Sequence, residues 1–121
     1  MIDCIMVGIG GFIGSVCRYL IGLLPIETNN GFPIKTLVIN IAGAFLISVT
    51  ALLAARDKSL NPHIALMLRV GICGGFTTFS TFAYESTGLI KNGHMVLAFT
   101  YMCLSMVLGI AAVFAAQLFI K

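Results

Sequence analysis

The sequence predicts an all-α membrane protein, a single transmembrane domain over residues 1–121 with four transmembrane helices, the third broken in mid-membrane. Of the 121 residues, 60% are hydrophobic and only 9% are charged, far from the usual composition of a soluble domain. A helix needs about 20 apolar residues to cross the hydrocarbon core of a bilayer, so the chain has room for about four crossings. Membrane-spanning strands would need apolar and polar residues in alternation, a pattern that is absent here.

Three of the spans are uninterrupted apolar stretches bounded by polar or turn-forming residues. The first ends at Pro25 and is not a signal peptide, because it is too long and lacks a basic leading segment. The second ends before a cluster of charged residues, and the fourth begins after a turn at residues 91–93. These spans cover about Cys4 to Leu24, about Lys35 to Ala55, and about Met95 to Ile120.

The third span, from Pro62 to about Ile90, is unusual because its centre, residues 74–78, is a poor helix. Asn61 and Pro62 predict the cap and first turn of its first half. Glycines and threonines dominate the centre. Each flanking half is about 10 to 12 residues long, too short to cross a bilayer alone.

The interruption of the third span also predicts function. Non-helical backbone at membrane depth is tolerated only where protein or a water-filled cavity surrounds it. The ends of broken helices expose carbonyl and N–H groups, and such ends bind ions in transporters. We therefore expect an ion site near Gly74 to Thr78. The alternative is a packing kink, for which the spacing of Gly71 and Gly75 is suitable.

Two phenylalanines follow the interruption at a spacing that places them on one helical face. Phe79 and Phe82 are three residues apart, with Ser80 and Thr81 between them. Ring edges carry partial positive charge and hydroxyls donate hydrogen bonds, so this group suits an anion. Packing or lipid contact, the ordinary role of phenylalanine in a membrane helix, is the alternative.

The second and fourth spans carry isolated polar side chains. Asn40 lies on a stripe with Thr36 and Gly43, and an amide in hydrocarbon needs partners. Its NH₂ group suits an anion, and the alternative is a hydrogen bond between helices. Tyr101 and Ser105, four residues apart in the fourth span, add hydroxyl donors on one face.

Two ionisable residues lie within apolar sequence. Arg18 is near the end of the first span, and Glu85 lies in the second half of the third. Because such groups usually face a cavity or each other, we expect Arg18 in a vestibule and Glu85 in an ion pair or along the pathway. For Arg18, extension of the side chain to the membrane surface is the simpler alternative.

The basic residues give almost no preference for one orientation in the membrane. With four crossings, Arg56, Lys58 and Lys121 lie on one side, and Lys35 and Lys91 lie on the other. The positive-inside rule counts such residues, and the two sides are nearly balanced. Because four short helices enclose little, we expect an oligomer, and the weak bias allows an antiparallel dimer.

No catalytic motif is visible, so we do not expect an enzyme. The four cysteines lack metal-ligand spacing, and no nucleophile and base pair or paired carboxylates are apparent. With no run of like charge for nucleic acid, membrane lipid is the evident large partner. The first span lacks the strand and acidic residue of a nucleotide-binding loop, and Gly10 and Gly14 instead predict a close helix-packing face.

Residues 74–82 read Gly-Gly-Phe-Thr-Thr-Phe-Ser-Thr-Phe and resemble the signature of the Fluc/CrcB fluoride channels. Residues 10–19 resemble the first-helix pattern of that family, and residues 36–45 resemble its second. The similarity covers essentially the whole chain, with the spans in the right order.

The resemblance implies a fluoride-selective channel in the bacterial cytoplasmic membrane that exports fluoride passively and so gives fluoride resistance. It also implies an antiparallel, dual-topology homodimer with two pathways and a structural sodium ion at its centre. The backbone carbonyls of Gly74 and Thr77 are the implied sodium ligands. The implied fluoride pathway comprises the aromatic pair Phe79 and Phe82, the amide of Asn40, and the hydroxyl track Ser80, Thr81, Tyr101 and Ser105.

The main rival function is a small dual-topology drug/proton antiporter, which is also built from four short spans. That mechanism needs a proton-exchanging carboxylate deep in the membrane. Asp3 lies at the very edge of the first span, which leaves Glu85 as the candidate.

Overall fold

The computed structural model describes residues 1–26 and 28–119, and every regular element within them is a helix. The predicted end of the fourth span at Ile120 and the charge of Lys121 lie outside these residues. Four helical segments are long and apolar enough to cross a membrane, which confirms the predicted all-α membrane architecture. They are Ile2–Gly22, Ile34–Arg56, Pro62–Lys91 and Met95–Phe119.

The third of these segments consists of several helical pieces. We label the first two segments α1 (Ile2–Gly22) and α2 (Ile34–Arg56) and the last α6 (Met95–Phe119). Between them lie α3 (Pro62–Leu66), a π-helical turn (Met67–Cys73), α4 (Gly74–Phe76) and α5 (Phe79–Lys91).

Local sequence determines where α3 and α6 begin. Asn61 Oδ1 accepts a hydrogen bond from the His63 N–H at 2.9 Å, and Pro62 occupies the first turn, as the sequence predicts. Gly93 has φ +84°, in the left-handed region where glycine is favoured, so the chain can reverse before α6. The last two membrane segments are therefore joined by a tight turn.

Glycines let α1 pack directly against the backbone of the third segment. A Cβ added at Gly10 would lie 2.9 Å from the Cα of Gly71. A Cβ added at Gly14 would overlap the backbone of Ile72 and approach that of Phe76. This confirms the packing face predicted from Gly10 and Gly14 and fixes α1 beside the start of the interruption.

The buried core lies among α2, α5 and α6. Tyr101 is completely buried and clusters with Leu37, Leu89 and Ala98. Many large apolar side chains along α1 and α6 remain exposed. Such a surface suits lipid or another protein chain rather than water.

Candidate functional site

Thr77 and Thr78 interrupt the third segment with extended backbone. Thr77 has ψ 159°, and Thr78 has φ −149° and ψ 122°, between the end of α4 and the start of α5. The Thr78 hydroxyl accepts a hydrogen bond from the Thr81 N–H at 3.1 Å and so caps α5. Threonine favours both extended backbone and helix N-caps, which explains why the helix stops here.

Asn40 of α2 holds Thr78 with two hydrogen bonds. Its Nδ2 donates to the Thr78 carbonyl at 3.1 Å, and the Thr78 N–H donates to its Oδ1 at 3.0 Å. The interhelical hydrogen bond considered as the alternative for Asn40 is therefore present. An amide NH₂ has two donors and this arrangement uses one, so one N–H is left for another acceptor.

Two backbone carbonyls at the interruption lose their helical partners to side chains. In an α-helix the Thr78 N–H would bond to the Gly74 carbonyl, but it donates to Asn40 instead. The Thr81 N–H would likewise bond to the Thr77 carbonyl, but it donates to the Thr78 hydroxyl. Both carbonyls implied as sodium ligands are thus released from helical hydrogen bonding.

An open cavity of about 300 Å³ adjoins the interruption and is lined by uncharged residues. It brings Asn40 together with Phe79 and Phe82, whose ring centres are 5.9 Å apart. Phe79 is 79% exposed. An ion in this cavity would meet only neutral dipoles. The other lining residues are Gly43, Ala44, Ile47, Cys73, Thr77 and Thr78.

Tyr101 connects the aromatic pair to Glu85. Its ring centre lies 5.1 Å from that of Phe82, and its hydroxyl donates to Glu85 Oε1 at 3.1 Å. Tyr101 therefore lies beside the aromatic pair, but Glu85 takes its one O–H donor. Sequence patterns did not indicate this contact, because the two residues belong to different helices.

The remaining predicted hydroxyl donors are not gathered in one place. Ser80 is exposed, with its Oγ 3.4 Å from the Thr78 Oγ1, and Thr81 lines a second cavity. The Ser105 Oγ is buried and has no hydrogen-bond partner within the described ranges. Ser105 is not part of the first cavity's lining, so that cavity does not bring the whole predicted track together.

Arg18 and Glu85 share a second cavity, of about 370 Å³, with Lys35. Arg18 Nε donates to the Gly75 carbonyl at 3.3 Å, and Lys35 Nζ donates to the Gly22 carbonyl at 2.9 Å. Both cations are thus anchored to backbone while lining the cavity. Lys35 was not among the predicted site residues, although its place at the polar start of the second span was a signal.

These features define a multi-pass membrane protein whose polar groups gather around an interrupted helix. The chain belongs to the family described as CrcB-like protein, Camphor Resistance (CrcB), whose model matches residues 5–117. The match confirms the family that residues 74–82 predict.

Curated relatives resemble the chain over nearly its whole length. One from Chlorobaculum tepidum is 42% identical over 100% of this chain and 96% of its own. One from Gloeothece citriformis is 40% identical over 100% and 98%, and one from Leptospira interrogans is 41% identical over 97% and 93%. Each of the three is named a fluoride-specific ion channel, FluC, which is the name of a channel and not of an enzyme.

Proposed function

We propose that this protein is a fluoride-selective channel that exports fluoride passively across the bacterial cytoplasmic membrane, lowering intracellular fluoride and giving resistance to it. The observation that carries the proposal is full-length similarity to proteins named fluoride-specific ion channels. The uncharged cavity at Asn40, Phe79 and Phe82 supports it, because neutral dipoles solvate an anion without trapping it.

Removing water from a small, strongly hydrated anion is the difficult step for such a channel. Protein donors must replace that water closely. At the cavity these donors are the remaining N–H of Asn40 and the positive ring edges of Phe79 and Phe82. Fluoride enters cells as neutral HF, ionises in the more alkaline interior and leaves down its gradient, so export needs no nucleotide or coupling ion.

A second copy in the opposite orientation completes the site in this proposal, giving an antiparallel, dual-topology homodimer with two pathways. The 79% exposure of Phe79 supports it, because an ion on an open cavity needs a facing wall. The buried Ser105 hydroxyl, unpartnered in the described part of the chain, supports a role as an ion donor. The proposed track comprises Ser80, Thr81, Tyr101 and Ser105, with Arg18 and Glu85 at the vestibule.

The proposal also places the interruption at mid-membrane, with the carbonyls of Gly74 and Thr77 holding a structural sodium ion between the two copies. These groups fit the ion, because each oxygen has lost its helical N–H partner to a side chain. Unwound backbone carbonyls are the usual sodium ligands in broken membrane helices. A bound sodium ion would offset the repulsion between the carbonyl oxygens that the two copies bring together.

Ion efflux from liposomes tests the channel directly. Purified protein is reconstituted into liposomes loaded with fluoride, efflux is recorded with a fluoride electrode, and the measurement is repeated with chloride. We expect fast fluoride loss and much slower chloride loss. Fast chloride loss, or no fluoride loss from a demonstrably folded dimer, would contradict the proposal.

The same assay separates the channel from a drug/proton antiporter. Glu85, held by Tyr101, is the carboxylate that favours the antiporter, whereas Asp3 lies 2.6 Å from His63 Nδ1 at the edge of the first span. A channel needs no proton gradient, so fluoride loss should persist at equal pH on both sides. No fluoride loss, together with drug transport that strictly requires a pH gradient, would favour the antiporter.

Replacing Phe82 by isoleucine should slow fluoride efflux at least about tenfold and leave the dimer intact. The substitution removes the ring edge but keeps an apolar side chain of comparable size against Tyr101. The fluoride electrode reports efflux, and size-exclusion chromatography reports the dimer. Phe12→Ile is the matched control, because Phe12 is 71% exposed on α1 and outside the cavity. Unchanged efflux for Phe82→Ile would remove the aromatic pair from the pathway.

A further inference from the structure

A cavity of about 470 Å³ opens where α1 begins, α2 ends and α3 begins. It shares no lining residue with the cavity at the interruption. Five of its residues carry titratable side chains, and the rest of the wall is Thr50 together with apolar residues such as Leu60 and Leu66. The titratable residues are Asp3, Asp57, Lys58, His63 and Arg69.

The two carboxylates of this cavity already have local partners. Asp3 Oδ1 lies 2.6 Å from His63 Nδ1. Asp57 Oδ1 accepts hydrogen bonds from the Ser59 hydroxyl and, at 3.0 Å, from the Ser59 N–H. These two hydrogen bonds lower the pKa of Asp57, in the loop after α2, below its ordinary value. Among the described residues, neither carboxylate is paired with a lysine or arginine.

The side chains of Lys58 and Arg69, in contrast, have no ion pair within residues 1–26 and 28–119. Of the two, Arg69 lies further into the third membrane segment. It follows Pro62 by seven residues, and its backbone is therefore about 10 Å along the helix from its start. The Arg69 side chain is exposed and reaches the cavity at the helix ends, where it has no anionic partner among the described residues. Arg69 also belongs to the π-helical turn, a geometry that recurs at functional sites.

We propose that this cavity binds the phosphodiester of a membrane glycerophospholipid, with Arg69 and Lys58 contacting the phosphate oxygens. Guanidinium groups bind phosphate through paired, charge-assisted hydrogen bonds. Basic pockets between membrane helices are recognised lipid headgroup sites. The cavity lies at the ends of three membrane helices, where headgroups lie, and its apolar wall suits the glycerol and first acyl carbons. These two features distinguish a lipid from free phosphate.

Native mass spectrometry of the purified, delipidated full-length protein tests which part of the lipid is recognised. The probes are phosphatidylglycerol, diacylglycerol with the same acyl chains, and soluble glycerol phosphate. We expect retention of phosphatidylglycerol at least about tenfold above that of diacylglycerol, with no retention of glycerol phosphate. Equal retention of the two lipids, or retention of glycerol phosphate at the level of the lipid, would overturn the proposal.

Charge-removing variants locate the site. Arg69→Gln and Lys58→Gln should each lower phosphatidylglycerol retention severalfold, and Lys58, in an exposed loop, gives a variant that retains the helical contacts. Lys91→Gln is the matched control, because Lys91 is exposed at the opposite end of the third membrane segment. If all three variants retain phosphatidylglycerol as well as the unmodified protein does, the cavity is not the site. The binding measurement is independent of fluoride efflux, so it stands whether or not the protein conducts fluoride.

Discussion

Asn40→Asp is expected to reduce fluoride efflux from liposomes at least about a hundredfold. The substitution places a negative charge on the wall of a cavity whose lining is otherwise uncharged. It also replaces the NH₂ group that donates to the Thr78 carbonyl with an oxygen that repels it. A fluoride electrode measures the rate, and size-exclusion chromatography checks that the protein remains assembled.

Two further variants separate the causes of that loss. Asn92→Asp introduces the same charge at an exposed position after α5 and should leave efflux unchanged. Asn40→Ala removes both hydrogen bonds to Thr78 without adding charge, so it should retain more efflux than Asn40→Asp. Equal losses in the two Asn40 variants would show that the lost amide, through its bonds to Thr78 and its remaining N–H donor, accounts for the effect and that the added charge contributes little. Full efflux in Asn40→Asp would exclude Asn40 from the pathway altogether.

The features that sequence predicted well depend on residues close together in the chain. The four membrane segments follow from apolar length, and the cap at Asn61 follows from the residue types at positions 61 and 62. The glycine face was also readable, because Gly10 and Gly14 are one helical turn apart on α1. These patterns can be read from the sequence because each depends on residues within one helix and not on how that helix packs against another.

The contacts that sequence did not predict join residues from different helices. The pairing of Asn40 with Thr78 depends on how α2 lies against the third segment, and the bond between Tyr101 and Glu85 depends on how α5 meets α6. No periodicity within one span encodes these distances. Lys35 was overlooked for the same reason, because its cavity exists only once α1 ends beside the start of α2.

Gly14→Ala is expected to destabilise the folded protein by about 1 to 3 kcal/mol. The added methyl group would overlap backbone atoms of Ile72 and Phe76, and backbone cannot move aside as a flexible side chain can. The fraction of protein that still elutes without aggregation after heating, measured by size-exclusion chromatography, reports the stability. Tryptophan fluorescence is unsuitable, because this chain has no tryptophan.

Gly8→Ala on the same helix provides the comparison, because a Cβ there meets nothing within 4 Å. Alanine is the better helix former by about 1 kcal/mol in exposed helix positions, so Gly8→Ala should be neutral or stabilising. Equal stability of the two variants would show that α1 can shift away from the third segment at little cost. If α1 is fixed as tightly as the Gly14 contact indicates, Gly14→Ala should also slow fluoride efflux. Displacing α1 would strain the Arg18 bond to the Gly75 carbonyl, two residues before the extended backbone at Thr77.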